Sequence, residues 1–470
     1  MPERSSKSLF RASILGAVLT LAWPTMLEQL MQTAVQYFDT AMVGALGTRA
    51  TAAVGSTTTV GWLIGSTISA FGVGFLAYIS QMRGAGEHEK ARKASAQSVL
   101  AVLVVGSLFT ALTLALSGVI PAWMQVDESI RPLAAEYFFI LYLPTLPRTA
   151  SIIFGTVLRA AGDTKTPMWV GIGVNAVNVI LNFLLIYESR VISVFGLAVP
   201  MWGAGLGVVG AGVASAVSVA LGGAALTIAL IKHREISPLG HSIKPDRAIL
   251  APCMRVAFPN MLQRFGTSLG YVAFAAMINS LGELSTAAHT VANTVESAFY
   301  IPGYGMMAAA ATLTGNAIGA GDRARLRELA RVNIGVEVIL MTVTGGLLFI
   351  FAPAMARVFS KDEAVISLAV TVLRMVAVSE PVYGVSLVIE GMMQGAGRTV
   401  APFVFNIIGM WGVRILGTLI CIKAFGLGLV SAWACMIGHN LLLFILFLAY
   451  YKRGSWNPLK KPTGRPAAAE

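Results

Sequence analysis

Charge is what this chain has least of. Asp, Glu, Lys and Arg make up 12% of its 470 residues, against about a quarter in an average globular domain. With 56% hydrophobic residues and a mean hydropathy of +0.74, the chain reads as a polytopic membrane protein. Cysteine is scarce too. Cys253, Cys421 and Cys435 are odd in number, widely spaced and set in or beside apolar segments. That excludes a disulfide framework and a zinc site, and the three are expected to pack as small hydrophobes. No Gly-x-x-x-x-Gly-Lys-Ser/Thr phosphate loop occurs, so the chain has no ATP engine of its own. No His-Glu-x-x-His and no Ser/His/Asp arrangement stands out, and no cofactor is implied. An enzyme is therefore not expected. His289 and His439 are lone residues in apolar contexts, read as core, with a proton path as the other option for His289. Gly205-Leu-Gly207-Val-Val-Gly210 has the letters of a dinucleotide fingerprint. It is expected to follow a loop and open a membrane helix with no strand before it, so close helix packing is the better reading. The net charge of +12 reports orientation in a membrane rather than a nucleic-acid partner.

What is present is organised around Trp23–Gly47. This stretch is long and apolar, carries Pro24 early and holds one carboxylate, Asp39, late. A proline frees a carbonyl and permits a bend. A carboxylate inside a bilayer is costly and points to function. Apolar runs long enough to span predict about twelve membrane helices. They lie near 14–43, 54–80, 94–116, 133–158, 167–187, 207–231, 252–280, 287–318, 332–356, 365–393, 400–422 and 429–451. Arg4, Lys7 and Arg11 precede the first run without a cleavage site, so it reads as a retained span. Lys and Arg gather in alternate connections, as at Arg83–Lys93, Arg159, Lys165, Lys232–Arg247, Arg323–Arg331, Arg398 and Lys452–Arg465. The other connections hold only Arg49, Arg131, Arg190, Arg357, Lys361 and Lys423. This bias predicts both termini in the cytoplasm, and a bacterial inner-membrane location fits it. The tail residues Lys460, Lys461 and Arg465 suit a cytoplasmic anchor near anionic lipid.

The chain is duplicated. Pro24, Gly47, Gly84-Ala85-Gly86 and Ala161-Gly162-x-Thr164-x-x-Pro167 recur, each 235 residues later and without a gap, as Pro259, Gly282, Gly319-Ala320-Gly321 and Ala396-Gly397-x-Thr399-x-x-Pro402. The polar stretch 232–250 reads as the linker. The expected organisation is a lobe at 1–231, a linker at 232–250, a lobe at 251–453 and a cytoplasmic tail at 454–470. Six spans per lobe give both halves one orientation, related by a pseudo-two-fold axis along the membrane normal. Duplicated transporters bind substrate between such repeats.

These residues resemble a known family. Trp23-Pro24 with Asp39, the Gly-Ala-Gly loops and above all Leu158-Arg-Ala-Ala-Gly-Asp-Thr-Lys-Thr-Pro167 look like the multidrug and toxic compound extrusion (MATE) transporters, and most like their DinF-like branch. The resemblance covers nearly the whole chain. It implies export of organic cations, dyes and drugs in exchange for sodium ions or protons. It also implies that the first-span acid, Asp39, works with polar residues on the fifth and sixth spans. Asn182 stands where some relatives have a second acid, which leaves the ion open.

The duplication supplies an internal control, because polar residues found in one half only are candidates for function. Asp39 corresponds to Phe274, and Asn178 and Asn182 to Val413 and Gly417. Asn175, Asn178 and Asn182 share one helix face. The expectation is one polar chamber in the first lobe, with Asp39 as the charge carrier and Asn178, Asn182 and Ser215 completing either a Na+ site or a proton-binding carboxyl. Interhelical hydrogen bonding, worth roughly 0.6–2 kcal/mol each, is the plainer role for the asparagines. No Asp or Glu lies between Val256 and Ser280, so the carboxyl-half cation site of NorM-like members is expected to be missing. Glu296, Glu380 and Glu390 either serve in its place or pair with Arg264, Arg374 or Arg414. Glu28-Gln29 and Gln263-Arg264 occupy matching positions, and a gate built on a Glu28–Arg264 pair is one expectation. Pro24 and Pro259 are the expected bends.

The reading is a twelve-helix antiporter, monomeric, acting on amphipathic small molecules within the lipid bilayer. A flippase or exporter of a lipid-linked or anionic precursor is the alternative, kept open by the intramembrane Arg148, Arg264, Arg374 and Arg414. A lipid enzyme would need a cluster of acids or histidines at one interface. A scaffold would leave Asp39 without a purpose.

Overall fold

The computed structural model describes residues 2–124, 126–194 and 197–459. The tail cations Lys460, Lys461 and Arg465 lie outside the described residues. In chain order the elements are α1 (Pro2–Gly44), α2 (Thr48–Gly84), α3 (His88–Leu116), α4 (Ile120–Trp123), α5 (Arg131–Tyr142), α6 (Thr145–Ala160) and α7 (Lys165–Leu185). There follow the strands β1 (Glu188–Val194) and β2 (Leu197–Ala204), then α8 (Gly207–Lys232), α9 (Arg247–Asn279), α10 (Glu283–Gly319), α11 (Arg323–Phe359) and α12 (Glu363–Gly395). The last elements are α13 (Val400–Ile407), a π-helical stretch (Ile408–Ile415), α14 (Leu416–Lys423) and α15 (Leu429–Arg453). The protein is an all-α polytopic membrane protein, and every expected span falls on a helix. Among the described residues nine helices are long and apolar enough to cross a membrane, ten if α5 and α6 count as one. α9 and α10 are not among these, because Arg255, Arg264, Glu296 and their prolines lower their apolar character.

Three local features depart from the sequence reading. The expected span at 133–158 is broken, and α5 and α6 meet at 48°. Pro144 sits at the break, where it has no N–H to continue the helix. The carbonyls released there are taken up by side chains. Thr145 Oγ1 donates to the Tyr142 carbonyl, and Arg148 Nη2 donates to the Leu141 carbonyl at 3.2 Å. Second, β1 and β2 form an antiparallel hairpin, so a strand does precede Gly205-Leu-Gly207-Val-Val-Gly210. It is a hairpin strand with no crossover helix, and Gly210 serves packing: a Cβ there would lie 2.4 Å from the Leu185 carbonyl. Third, the π-helical stretch carries Arg414. Cys421 and Cys435 come together with sulfurs 3.8 Å apart, while Cys253 is buried.

The chain folds as two compact units. One holds residues 27–75 and 92–250, the other 1–26, 76–91 and 251–470. This is not the simple division at 232–250 read from the sequence. α1 and α2 run 43 and 37 residues, and the start of α1 and the end of α2 belong with the later chain. The boundary crosses α1 just after Pro24. α2 meets α10 through matched glycines: a Cβ on Gly84 would lie 2.0 Å from the Asn316 carbonyl, and one on Gly319 would lie 1.8 Å from the Gln81 carbonyl. Glycine alone permits that approach. Segment 233–246 is held to the first unit by Gln97, whose Nε2 donates to the Lys244 carbonyl at 2.8 Å while its Oε1 accepts from Asp246 N at 3.1 Å. The apolar cores are built from helix faces. Met42, Val43, Tyr137, Ile186 and Val208 pack in the first unit. Phe274, Val291, Leu373 and Trp433 form one cluster in the second, and Met306, Val388, Met392 and Phe447 another.

Candidate functional site

Asp39 stands on α1, half-buried, one helix away from the asparagine face of α7. Asn182 Nδ2 donates to Asp39 Oδ1 at 2.5 Å and also faces Asn178 Oδ1 at 3.2 Å. Asn178 Nδ2 in turn donates to Ser215 Oγ on α8 at 3.2 Å. The four residues singled out from the sequence thus form one hydrogen-bonded chain across α1, α7 and α8. The spacing of Asn175, Asn178 and Asn182 sets this up, because i, i+3 and i+7 point the same way on a helix. Asn182 Oδ1 and Asn175 Nδ2 are buried without a partner, so an acceptor and a donor remain for a ligand. One carboxylate flanked by amide and hydroxyl oxygens suits a hard monovalent cation. The same carboxylate, if it takes a proton, keeps its contact with Asn182. Pro24 lies in α1 fifteen residues before Asp39, and Pro259 lies inside α9; both helices run on through their prolines.

The matching place in the second unit carries the opposite charge. Phe274, the counterpart of Asp39, is buried, and the Arg414 guanidinium lies 4.8 Å from its ring centre and 5.1 Å from that of Tyr271. Arg414 Nε is buried without a partner. His289 packs edge-on to Phe274 and Trp433, both at 5.8 Å, and His439 sits against Gly409 with neither ring nitrogen bonded. His439 is a buried core residue, and His289 is half-buried among aromatic rings.

Other residues find partners the sequence did not indicate. Glu28 is paired with Arg159 of α6, whose Nη1 lies 2.9 Å from Glu28 Oε2, and Arg264 Nε donates to Asn260 Oδ1 at 2.9 Å. Glu28 thus answers to Arg159, which the Leu-Arg-Ala-Ala-Gly motif carries. Glu390 is bound by amides alone. Gln263 Nε2 reaches Oε1 at 2.8 Å, Gln394 Nε2 reaches Oε1 at 3.2 Å, and Asn406 Nδ2 reaches Oε2 at 3.1 Å. Glu296 and Glu380 are buried on α10 and α12, and among the described residues neither forms an ion pair with Arg264, Arg374 or Arg414. Arg374 instead lies 5.4 Å from the Phe349 ring centre. Glu337 on α11 was not singled out; it is fully buried with neither oxygen bonded. The signal for it was available, because Glu337 is an acid inside an apolar span and its counterpart 235 residues earlier is Val102.

Comparison with known proteins fits this geometry. The MatE family model matches residues 24–184 and 259–420, one match for each half of the duplication. Among curated relatives, the "Probable multidrug resistance protein NorM" of Thermotoga maritima is 26% identical over 93% of this chain and 92% of its own. The multidrug resistance protein NorM of Burkholderia vietnamiensis is 26% identical over 84% of each chain. Among solved structures, an outward-facing multidrug resistance MATE family transporter of the MOP superfamily superposes with a TM-score of 0.86. It is 23% identical and is covered over 98% of its length by 97% of this chain. A MOP superfamily transporter from Pyrococcus furiosus, described as having a binding pocket of reversed polarity, also reaches 0.86 at 23% identity, over 95% of this chain and 97% of that one. With both halves matched and the first-half site assembled, the chain belongs to the MatE family of multidrug and toxic compound extrusion transporters.

Proposed function

We propose that the protein is a secondary antiporter that exports amphipathic, mostly cationic compounds in exchange for H+ or Na+ by alternating access. The observation that carries this is the chain Asp39–Asn182–Asn178–Ser215, a single acid with a polar cradle in one half only. When the ion or proton occupies Asp39 its charge is compensated, and when it leaves, the bare carboxylate is available to a cationic substrate. That exclusion is what exchange requires. The names of the two curated relatives described above, both multidrug resistance proteins, support the substrate class. Pro24 and Pro259 permit the helix bending such a cycle needs, and a monomer suffices.

Ethidium efflux from loaded cells tests this, comparing the wild type with Asp39→Asn at equal membrane abundance, in sodium or choline buffer at two external pH values. The expected result is energised efflux by the wild type that Asp39→Asn abolishes, with sodium or pH dependence naming the ion. Equal efflux by both chains removes Asp39 from the mechanism. A second reading, export of a lipid-linked or anionic precursor, is favoured by one observation, the buried Arg414, one residue after Val413, the counterpart of Asn178. Absence of cation efflux, with export of an anionic amphiphile that Arg414→Gln abolishes, would select it.

A further inference from the structure

The duplication makes a second comparison possible, at the charged ends of α3 and α11. Arg92 and Arg327 are counterparts, 235 residues apart, and each is the fifth residue of its helix. Arg92 is used internally. Its Nη2 donates to the Arg234 carbonyl at 3.0 Å and its Nε to the Glu235 carbonyl at 3.3 Å, fastening the segment that follows α8. In the other unit, the segment that follows α15 packs on α11 in a different way. Trp456 goes in instead, buried, stacked on Tyr451 with ring centres 5.6 Å apart and donating its indole N–H to the Tyr451 carbonyl at 3.2 Å. Among the described residues Arg327 meets no carbonyl and forms no hydrogen bond or ion pair.

What Arg327 does face is a cavity of about 220 Å³, lined also by Tyr451, Lys452, Trp456 and Asn457. Among the described residues two cations line it and no carboxylate does. The neighbouring acid on α11, Glu328, is already engaged by Arg11 at 3.4 Å and Arg331 at 3.3 Å. The cavity lies at the end of α15, a helix long and apolar enough to cross a membrane, and is lined by aromatic and cationic side chains. Aromatic rings and long basic side chains at this level are the usual means of meeting a lipid headgroup.

We propose that this cavity is a binding site for the phosphodiester headgroup of an anionic phospholipid. Arg327 and Lys452 would hold the phosphate, and the Tyr451–Trp456 pair would pack on the glycerol and upper acyl chain. The guanidinium suits a bidentate phosphate contact, and the ammonium adds a second positive charge. The chain's own tail is a poor occupant, because Lys460, Lys461 and Arg465 carry the same sign as the rim. The site is independent of Asp39 and of the coupling ion.

The test uses the full chain in phosphatidylcholine vesicles containing rising mole fractions of brominated phosphatidylglycerol, with tryptophan fluorescence as the readout. A saturable quenching component is expected, absent with brominated phosphatidylcholine and removed by Trp456→Phe. In the double variant Arg327→Gln, Lys452→Gln it should move to at least about tenfold higher mole fraction. Arg327→Lys with Lys452→Arg should retain it. Both altered positions are exposed, so the double variants keep the fold. Equal quenching by the two lipids, or an unchanged double variant, would overturn the site. Displacement by millimolar inorganic phosphate would make the occupant a soluble phosphate and overturn the lipid assignment. Quenching that appears only after truncation at Leu459 would make the tail the occupant, with the same consequence.

Discussion

At the scale of single residues the account rests on who bonds to whom. Asn182 is the one residue that touches Asp39 directly in the hydrogen-bonded chain, whereas Ser215 is three hydrogen bonds away. A hydrogen bond to a charged group contributes about 1.5–3 kcal/mol. Asn182→Ala is therefore expected to lower ion-driven efflux by roughly tenfold or more, and Ser215→Ala by clearly less. Initial efflux rates at matched abundance check the ranking. The Glu28–Arg159 pair is largely buried, with side chains 10% and 17% exposed. Removing one partner of such a pair costs roughly 3–5 kcal/mol, because the other charge is left without compensation. Glu28→Gln should accordingly lower the midpoint of thermal unfolding in detergent. The exchange Glu28→Arg with Arg159→Glu should recover much of the loss, while pairing Glu28→Arg with Arg264→Glu should not. The candidate site was legible in the sequence because the duplication exposed Asp39, Asn178 and Asn182 as polar where their counterparts are Phe274, Val413 and Gly417. The partner of Glu28 was not. Choosing between Arg159 and Arg264 needs the rotation of each helix, which periodicity in a uniformly apolar span does not give.

At the scale of elements, apolar runs in the sequence located the long helices but not the breaks within them. The bend at Pro144 and the π-helical stretch at Ile408–Ile415 leave composition unchanged, and so they are invisible to a pattern of apolar residues. The β1–β2 hairpin is not legible in the sequence, because the Gly and Pro residues of this segment mask a short strand pattern. The α2–α10 contact offers a direct prediction. Gly319→Val places its Cβ against the Gln81 carbonyl, which is backbone and cannot swing aside. Efflux should fall to background and thermal stability should drop. Gly335→Ala, with open space around it, is expected to leave both unchanged or to raise stability slightly. A thermal shift measurement alongside efflux decides this. Equal tolerance at the two positions would contradict a packing role for Gly319.

At the scale of the whole molecule, one ancestral half has been used twice with different chemistry. The two halves share Pro24 and Pro259, the Gly-Ala-Gly loops and the Gly-x-Thr-x-x-Pro turns, and they divide the charges between them. The acid at Asp39 belongs to one half, and the amide-held Glu390 and the buried Arg414 belong to the other. α1 joins these parts, since its start belongs to one compact unit and its Asp39 end to the other, with Pro24 beside the division. In the proposed cycle, occupancy at Asp39 biases the bend of this shared helix. The consequence for transport is strict: no imposed ion gradient should drive the substrate once the carboxylate is gone. The most direct measurement uses purified protein in vesicles, recording ethidium movement driven by an imposed Na+ or pH gradient for the wild type and Asp39→Asn. The account predicts that one of the two gradients drives accumulation by the wild type and that neither does so for Asp39→Asn. Gradient-driven accumulation by Asp39→Asn at the wild-type rate would contradict it.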